Sequence, residues 1–204
     1  LSFPFVTDSS EARGYAPMIL CAVAAYGALA RFLADGRPAH AAAFSALASL
    51  GLLWHLTFLH FLIAAAVASV VVLARRHRPG TALLKLAQLH AVPTVVLVAY
   101  VLVFVRKIQI GGAPEGSTLA AVLSALSLTL GGPIAGPPAY VCGTIVAVLL
   151  ALALAWLWRT ARDEFAFYAA AIVLAPALVL ATQSLVFHRG EVIQVRYLLV
   201  CMTF

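Results

Sequence analysis

From Ala39 to Ala74 the chain runs through an apolar stretch that cannot be one helix in a membrane. At ~1.5 Å per residue it would be about 54 Å long. The hydrocarbon core of a bilayer is ~30 Å thick. The stretch must therefore double back. Its polar cluster is WHLTFLH, Trp54 to His60, so the reversal is placed there. That divides it into two short segments, about 40–54 and 58–74.

The rest of the chain has the same character. Of its 204 residues, 64% are hydrophobic and 10% charged, where soluble domains are usually nearer half and a quarter. Several windows approach the roughly 20 apolar residues a bilayer span needs. An integral membrane protein is the expectation. The first segment runs from about Ala16 to Phe32 and stops at ADGRPAH, where Gly36 and Pro38 signal a turn. After the two short segments comes RRHRPG, then a fourth from about Leu84 to Val105. A Gly/Pro-rich connection, Ile108 to Ala139, encloses STLAAVLSALSLTL, which is short for a span and reads as an interfacial or re-entrant helix. A fifth segment covers about Tyr140 to Trp158 and is broken off by RTARDE. A sixth covers about Ala166 to Val186, and Tyr197 begins a seventh. The fold class is thus all-α: a polytopic transmembrane bundle of about seven segments plus an interfacial helix, with 1–204 as one transmembrane domain. The chain does not start with Met and closes partway into an apolar run, RYLLVCMTF, so it reads as an internal piece of a longer protein.

Thirteen Lys and Arg against seven Asp and Glu give a net charge of +6, but they are spread over many loops. They form no nucleic-acid patch and serve to set orientation. With the opening stretch outside, inner loops hold Arg31, Arg37, Arg75, Arg76, Arg78, Lys85, Arg159 and Arg162. Outer loops hold only Arg13, Arg106, Lys107, Arg189 and Arg196. Cys21, Cys142 and Cys201 lie far apart in apolar segments, with neither metal spacing nor a disulfide framework.

On this topology the outer face gathers most of the polar chemistry. In TDSSEARGYAPM, Asp8 and Glu11 fit an N-cap with an acid at N3. Equally, Asp8, Glu11 and Tyr15 share one helical face that can line a cleft, while Arg13 points elsewhere. His55 and His60 flank the reversal. They are interfacial anchors, contacts to a phosphate or hydroxyl, or a two-histidine metal site. In HRGEVIQVRY, Arg196 and Tyr197 stand at the mouth of a segment, where an arginine either snorkels to the interface or binds a phosphate bidentately. Gly-rich nucleotide loops and Ser/His/Asp arrangements are absent from the sequence.

Three stretches carry a resemblance. SSEARGYAPMIL resembles the S-x-E-A-R-x-Y-A stretch of bacterial membrane glycosyltransferases of the C superfamily, the group that includes protein O-mannosyltransferases and lipid A aminoarabinose transferases. LTFLHFLIAAA resembles a later turn of that family, Thr-His-Tyr-Phe before an apolar helix. His60 and Phe61 match, while Leu59 replaces the usual threonine. VRYLLV resembles the family's Arg-Tyr-Leu at the start of a late span.

The resemblance implies a polyprenyl-phosphate-linked sugar donor and transfer at the periplasmic face of a bacterial plasma membrane. The acceptor would be a lipid, glycan or protein hydroxyl. An acid would act as general base, and the leaving phosphate would be helped by cations. The family's leading acid lies in its first outer loop, upstream of Leu1. Glu11 is carried over as a second acid orienting acceptor or metal, and Arg196 and Tyr197, with His60 and Arg13, as donor-phosphate or cavity-lining groups. Asp8 stands beside Glu11 as a catalytic candidate, and Tyr15 and His55 as substrate-binding candidates, by their positions in the outer-face stretches and not by the resemblance. Some relatives use a divalent cation, which nothing in this sequence requires. The main alternative is a transporter or flippase of lipid-linked sugars, which would show inverted repeats. A third is a structural membrane subunit whose polar groups are interfacial anchors.

Overall fold

A computed structural model describes residues 15–103, 118–129 and 131–178. Every regular element among them is helical. The chain separates into two compact units, Leu1–Ile108 and Gln109–Phe204.

The first unit contains helices α1 (Tyr15–Asp35), α2 (Pro38–Trp54), α3 (Leu59–Arg76) and α4 (Pro79–Val103), with a single 3-10 turn (Leu56–Phe58) between α2 and α3. The expected reversal is where the length argument put it. It takes one extended residue, His55 (φ −160°, ψ 132°), whose N–H still bonds the Gly51 carbonyl at 3.1 Å. The 3-10 turn then leads directly into α3.

α1 packs on α2, α2 on α4, α4 on α3, and α3 touches α1, so the four helices close a ring. The contact faces mix small and large residues at helical spacing. α1 buries Ala22 and Ala25 between Met18, Leu29 and Phe32; α3 buries Ala64, Ala65, Ala68 and Ser69. The small residues let backbones approach, which is how helices associate where lipid removes the hydrophobic drive, and the large ones fill the space between. Gly51 is the tightest point. A Cβ there would run into the ring of Phe58, which is itself fully buried. Inside the ring an aromatic series runs from the reversal to mid-bundle. Phe58 meets Phe61 at 5.0 Å between centroids, Phe61 meets Phe44 at 6.4 Å, and His90 meets Phe44 edge-on at 5.3 Å.

The second unit has α5 (Thr118–Thr129), α6 (Gly136–Thr160) and α7 (Arg162–Ala169), continued by one π turn (Ala170–Leu174). The short apolar run in the Gly/Pro connection is indeed a helix, α5. It ends in paired bonds, Gly132 N–H to Ser127 O (3.0 Å) and Gly131 N–H to Leu128 O (2.9 Å), with Gly131 left-handed at φ +69°. This is a Schellman termination. α5 lies against α6 where Gly143 lets the Leu123 carbonyl in.

RTARDE departs from expectation. The break takes one residue, Ala161, and the next helix already starts at Arg162, ahead of the anticipated Ala166. Asp163 and Glu164 sit in its first turn, where acids suit the helix dipole. Trp158 and Phe165 stack edge-on across the break at 5.0 Å, with Arg162 over the Trp158 ring.

Four helices, Ala16–Asp35, Leu56–Arg76, Pro79–Val103 and Gly136–Thr160, are long and apolar enough to cross a membrane. α2 has 17 residues and is shorter. The remainder of the sixth segment and the start of the seventh lie outside the described residues.

Candidate functional site

At the reversal, Thr57 holds both flanking histidines. His55 is the cap of the 3-10 turn: its Nδ1 accepts the Thr57 N–H at 3.2 Å. The Thr57 hydroxyl donates to the same Nδ1 at 2.8 Å and rests 3.3 Å from Met18 Sδ. His60 Nδ1 is 2.9 Å from the Thr57 carbonyl. A carbonyl only accepts, so His60 donates from Nδ1 and the lone pair of its neutral ring is on Nε2. His55 is the reverse: with Nδ1 accepting, its neutral ring carries the proton on Nε2. One short polar residue thus fixes two imidazoles in opposite tautomers.

The reversal treats its two histidines differently. It buries His60, which is 4% exposed, and leaves His55 half-buried at the rim. The local path explains the difference. His60 stands in the first turn of α3, on the face that also buries Phe61 and Ala64. His55 sits at the extended corner and directs its ring along its own turn. Among the described residues no group of three or more His, Cys, Asp or Glu side chains is placed to hold a metal ion.

The Met18 contact matters for position. Met18 belongs to the opening turns of α1, directly after SSEARGYAP, and is fully buried against the reversal. Two of the three resemblance stretches are therefore neighbours in space. Asp8, Glu11 and Arg13 lie outside the described residues, as do Arg196 and Tyr197. Tyr15 begins α1.

Below the reversal a second polar set ties α4 to its neighbours. Pro93 has no N–H, so the Leu89 carbonyl one turn earlier loses its helical partner. Ser45 of α2 supplies the missing donor: its hydroxyl reaches Leu89 O at 2.9 Å and Gln88 O at 3.3 Å. On the other side, Ser69 of α3 donates to Ala65 O at 2.6 Å and lies 3.1 Å from His90 Nε2. Its one proton is committed, so His90 is the donor of that pair. Thr57, Met18, Ser45 and Ser69 were not among the residues singled out from sequence. The available signals were weak: one threonine midway between two histidines, and single serines on apolar faces opposite Pro93.

The opposite end of the first unit has a different chemistry. Arg31, Arg37, Arg75, Arg76, Arg78 and Lys85 lie near the two turns there, around Gly36 and His77. At the end that holds Met18 and the reversal, by contrast, the described residues include no Lys or Arg.

Compared with known proteins, the chain matches no family model, no curated protein and no solved structure at the significance required of a match.

Proposed function

We propose that this chain is the membrane part of a glycosyltransferase that moves a sugar from a polyprenyl-phosphate donor to an acceptor hydroxyl. The observation that carries this reading is the contact of Met18 with Thr57. It sets α1, whose first residues are the YAPM of SSEARGYAPM, against the LTFLHF turn, and so joins the described parts of two of the stretches that carry the resemblance. In this reading α2 also crosses the bilayer: at ~1.5 Å per residue its 17 residues span about 25 Å. It is lined on both sides by α1 and α4, so its length is adequate. The segments beyond Leu178 complete about seven spans.

Orientation follows from charge. All six Lys and Arg among the described residues of the first unit are at its turn end, so that end is cytoplasmic and the reversal is periplasmic, in a bacterial plasma membrane. In this reading Glu11 orients the acceptor hydroxyl for attack on the anomeric carbon. The leading acid accepts the proton. Arg196, with Tyr197, binds the phosphate that leaves with the polyprenol. His60 presents its Nε2 lone pair to a donor hydroxyl and Thr57 keeps that ring in register. His55, Arg13 and Tyr15 line the approach.

The test uses the full-length protein in liposomes with a labelled polyprenyl-phosphate sugar. Glu11→Gln and Arg196→Ala should each lower transfer by on the order of 100-fold while insertion is unchanged. Unchanged transfer in both variants would reject the reading. Movement of the labelled lipid across the bilayer without transfer would favour a transporter instead.

A further inference from the structure

We propose that the turn end of the first unit holds the headgroup of an acidic phospholipid, between the end of α1 and the facing ends of α3 and α4. Cations from two helices converge there on the close of α1. Arg76 of α3 donates from Nη1 to the Leu33 carbonyl at 2.8 Å. Lys85 of α4 sets its Nζ over the Phe32 ring, 5.3 Å from the centroid, and against Gly36, which has no side chain to exclude it. Arg31 and Arg78 are exposed beside them.

The local charge is unbalanced. Asp35 is the one carboxylate among the described residues of this unit. It accepts the Arg37 N–H at 3.0 Å and lies 3.1 Å from His40 Nδ1, so its charge is spent on its own turn. Among the described residues of this unit six cations stand against this one carboxylate, and Arg37 is the cation paired with it, at 3.5 Å. α2 and α4 both begin here, and neither carries an acid in its first turn. α1 and α3 end here as well, so the helix dipoles offset one another and the cations alone carry the positive charge.

Arg76, the last residue of α3, and Lys85, two turns into α4, share in the topological signal, and both are in addition held on the close of α1 by specific contacts, which gathers their charge at one place. The neighbouring surface identifies the ligand as a lipid and not a free anion. Leu84, next to Lys85, is 61% exposed, and Val92 and Val95, on the same side of α4, continue an uncovered apolar face at 55% and 68% exposed. A phosphate bound at Lys85 and Arg76 would have its acyl chains on that wall. Basic places of this kind at the cytoplasmic ends of helices suit anionic headgroups.

This inference does not rest on the enzymatic reading of the other end. Its test is the thermal midpoint of the full-length protein, delipidated in maltoside micelles. Adding phosphatidylglycerol should raise the midpoint by roughly 3 °C or more, while phosphatidylcholine and inorganic phosphate should not. In Arg31→Gln/Arg78→Gln/Lys85→Gln the rise should disappear, and in Lys85→Gln alone, a solvent-edge change, it should be about half. An equal rise with phosphatidylcholine would show general lipid solvation. An equal rise with inorganic phosphate would show a small-anion site. A rise that persists in Lys85→Gln and the triple variant would place the lipid elsewhere, the reversal end included. Any of these three results overturns the proposal.

Discussion

The first unit turns its chain at both ends, and it does so by unlike means. At the α1–α2 turn the backbone goes left-handed at Gly36 (φ +69°), whose N–H bonds Phe32 O at 2.7 Å, and Pro38 starts the next helix. At the α2–α3 reversal there is no glycine in the bend, no proline and no charge. One extended histidine caps the following turn through its side chain, and Phe58 folds back onto Gly51. The first turn is specified by backbone permissiveness, the second by packing and a side-chain bond. The difference teaches that a chain reversal inside an apolar run can be made by tertiary fit alone. Its cost of disruption then lies in what touches it and not in its dihedral angles.

Substitution of the two glycines separates these mechanisms and should give the largest effects. In Gly51→Leu the added side chain meets a fully buried ring with nowhere to move, so overpacking should cost about 3 kcal/mol. The midpoint in detergent should fall sharply, and Phe58→Ala in the same chain should recover part of the loss by opening the space. If Phe58→Ala recovers nothing, the reversal is not held by this contact. Gly36→Ala should cost less, ~1–2 kcal/mol, because a side chain is forced into the left-handed region. The neighbour there is the end of Lys85, which can swing away, so Gly36→Asn should recover much of the loss although Asn is the larger residue. An Asn variant as damaged as Ala would make the Gly36 turn a packing site like the other.

The two turns also differ in how visible they are in the sequence. ADGRPAH reads directly as a turn because Gly36 and Pro38 have backbone requirements that do not depend on the rest of the fold. WHLTFLH does not. The reversal follows only from length, because a 36-residue apolar stretch exceeds a bilayer, and the residues that build it were not legible: Gly51 and Phe58 acquire meaning only when α2 and α3 are folded against each other. The same holds for the candidate site. His55 and His60 were conspicuous as polar residues in an apolar run. Thr57, which orients both, was not, since one threonine among apolar neighbours is ordinary. The break before Arg162 was placed within a few residues, but its single-residue width depends on Trp158 stacking with Phe165 across it, a contact no spacing rule contains.

A smaller effect tests the polar contacts between the turns. Ser45→Ala should cost about 1 kcal/mol, the usual size of an interhelical hydrogen bond in a membrane bundle, because it leaves the Leu89 carbonyl without the donor that Pro93 already denies it. Pro93→Ala restores a backbone N–H to that carbonyl. In a double-mutant cycle the cost of Ser45→Ala should therefore shrink toward zero when Pro93 is replaced, giving a coupling near the full single-mutant effect. Additive costs would show that Ser45 stabilises α2 in some way unrelated to the proline. Either outcome bears on the comparison of the ends, since α4 is straightened or kinked between them.

The smallest change is the most informative for function. His55→Ala removes the acceptor that caps the 3-10 turn and should lower stability by roughly 0.5–1 kcal/mol, the lower range for lost helix caps. His55→Asn places an amide oxygen where Nδ1 stands and should retain the cap, leaving the midpoint close to that of the parent chain. It lacks the Nε2–H that the histidine ring presents beyond its turn. If His55 serves only the reversal, Asn is silent in every assay and Ala is destabilising. If its ring also meets the sugar or phosphate of a donor, Asn should reduce transfer several-fold at unchanged stability, and the reduction should be in substrate affinity and not in the chemical step, because a contact equal in ground and transition states changes KM alone. A midpoint lowered equally by Ala and Asn would contradict the capping geometry itself, and with it the view that this reversal is specified by a side chain where the other is specified by a glycine.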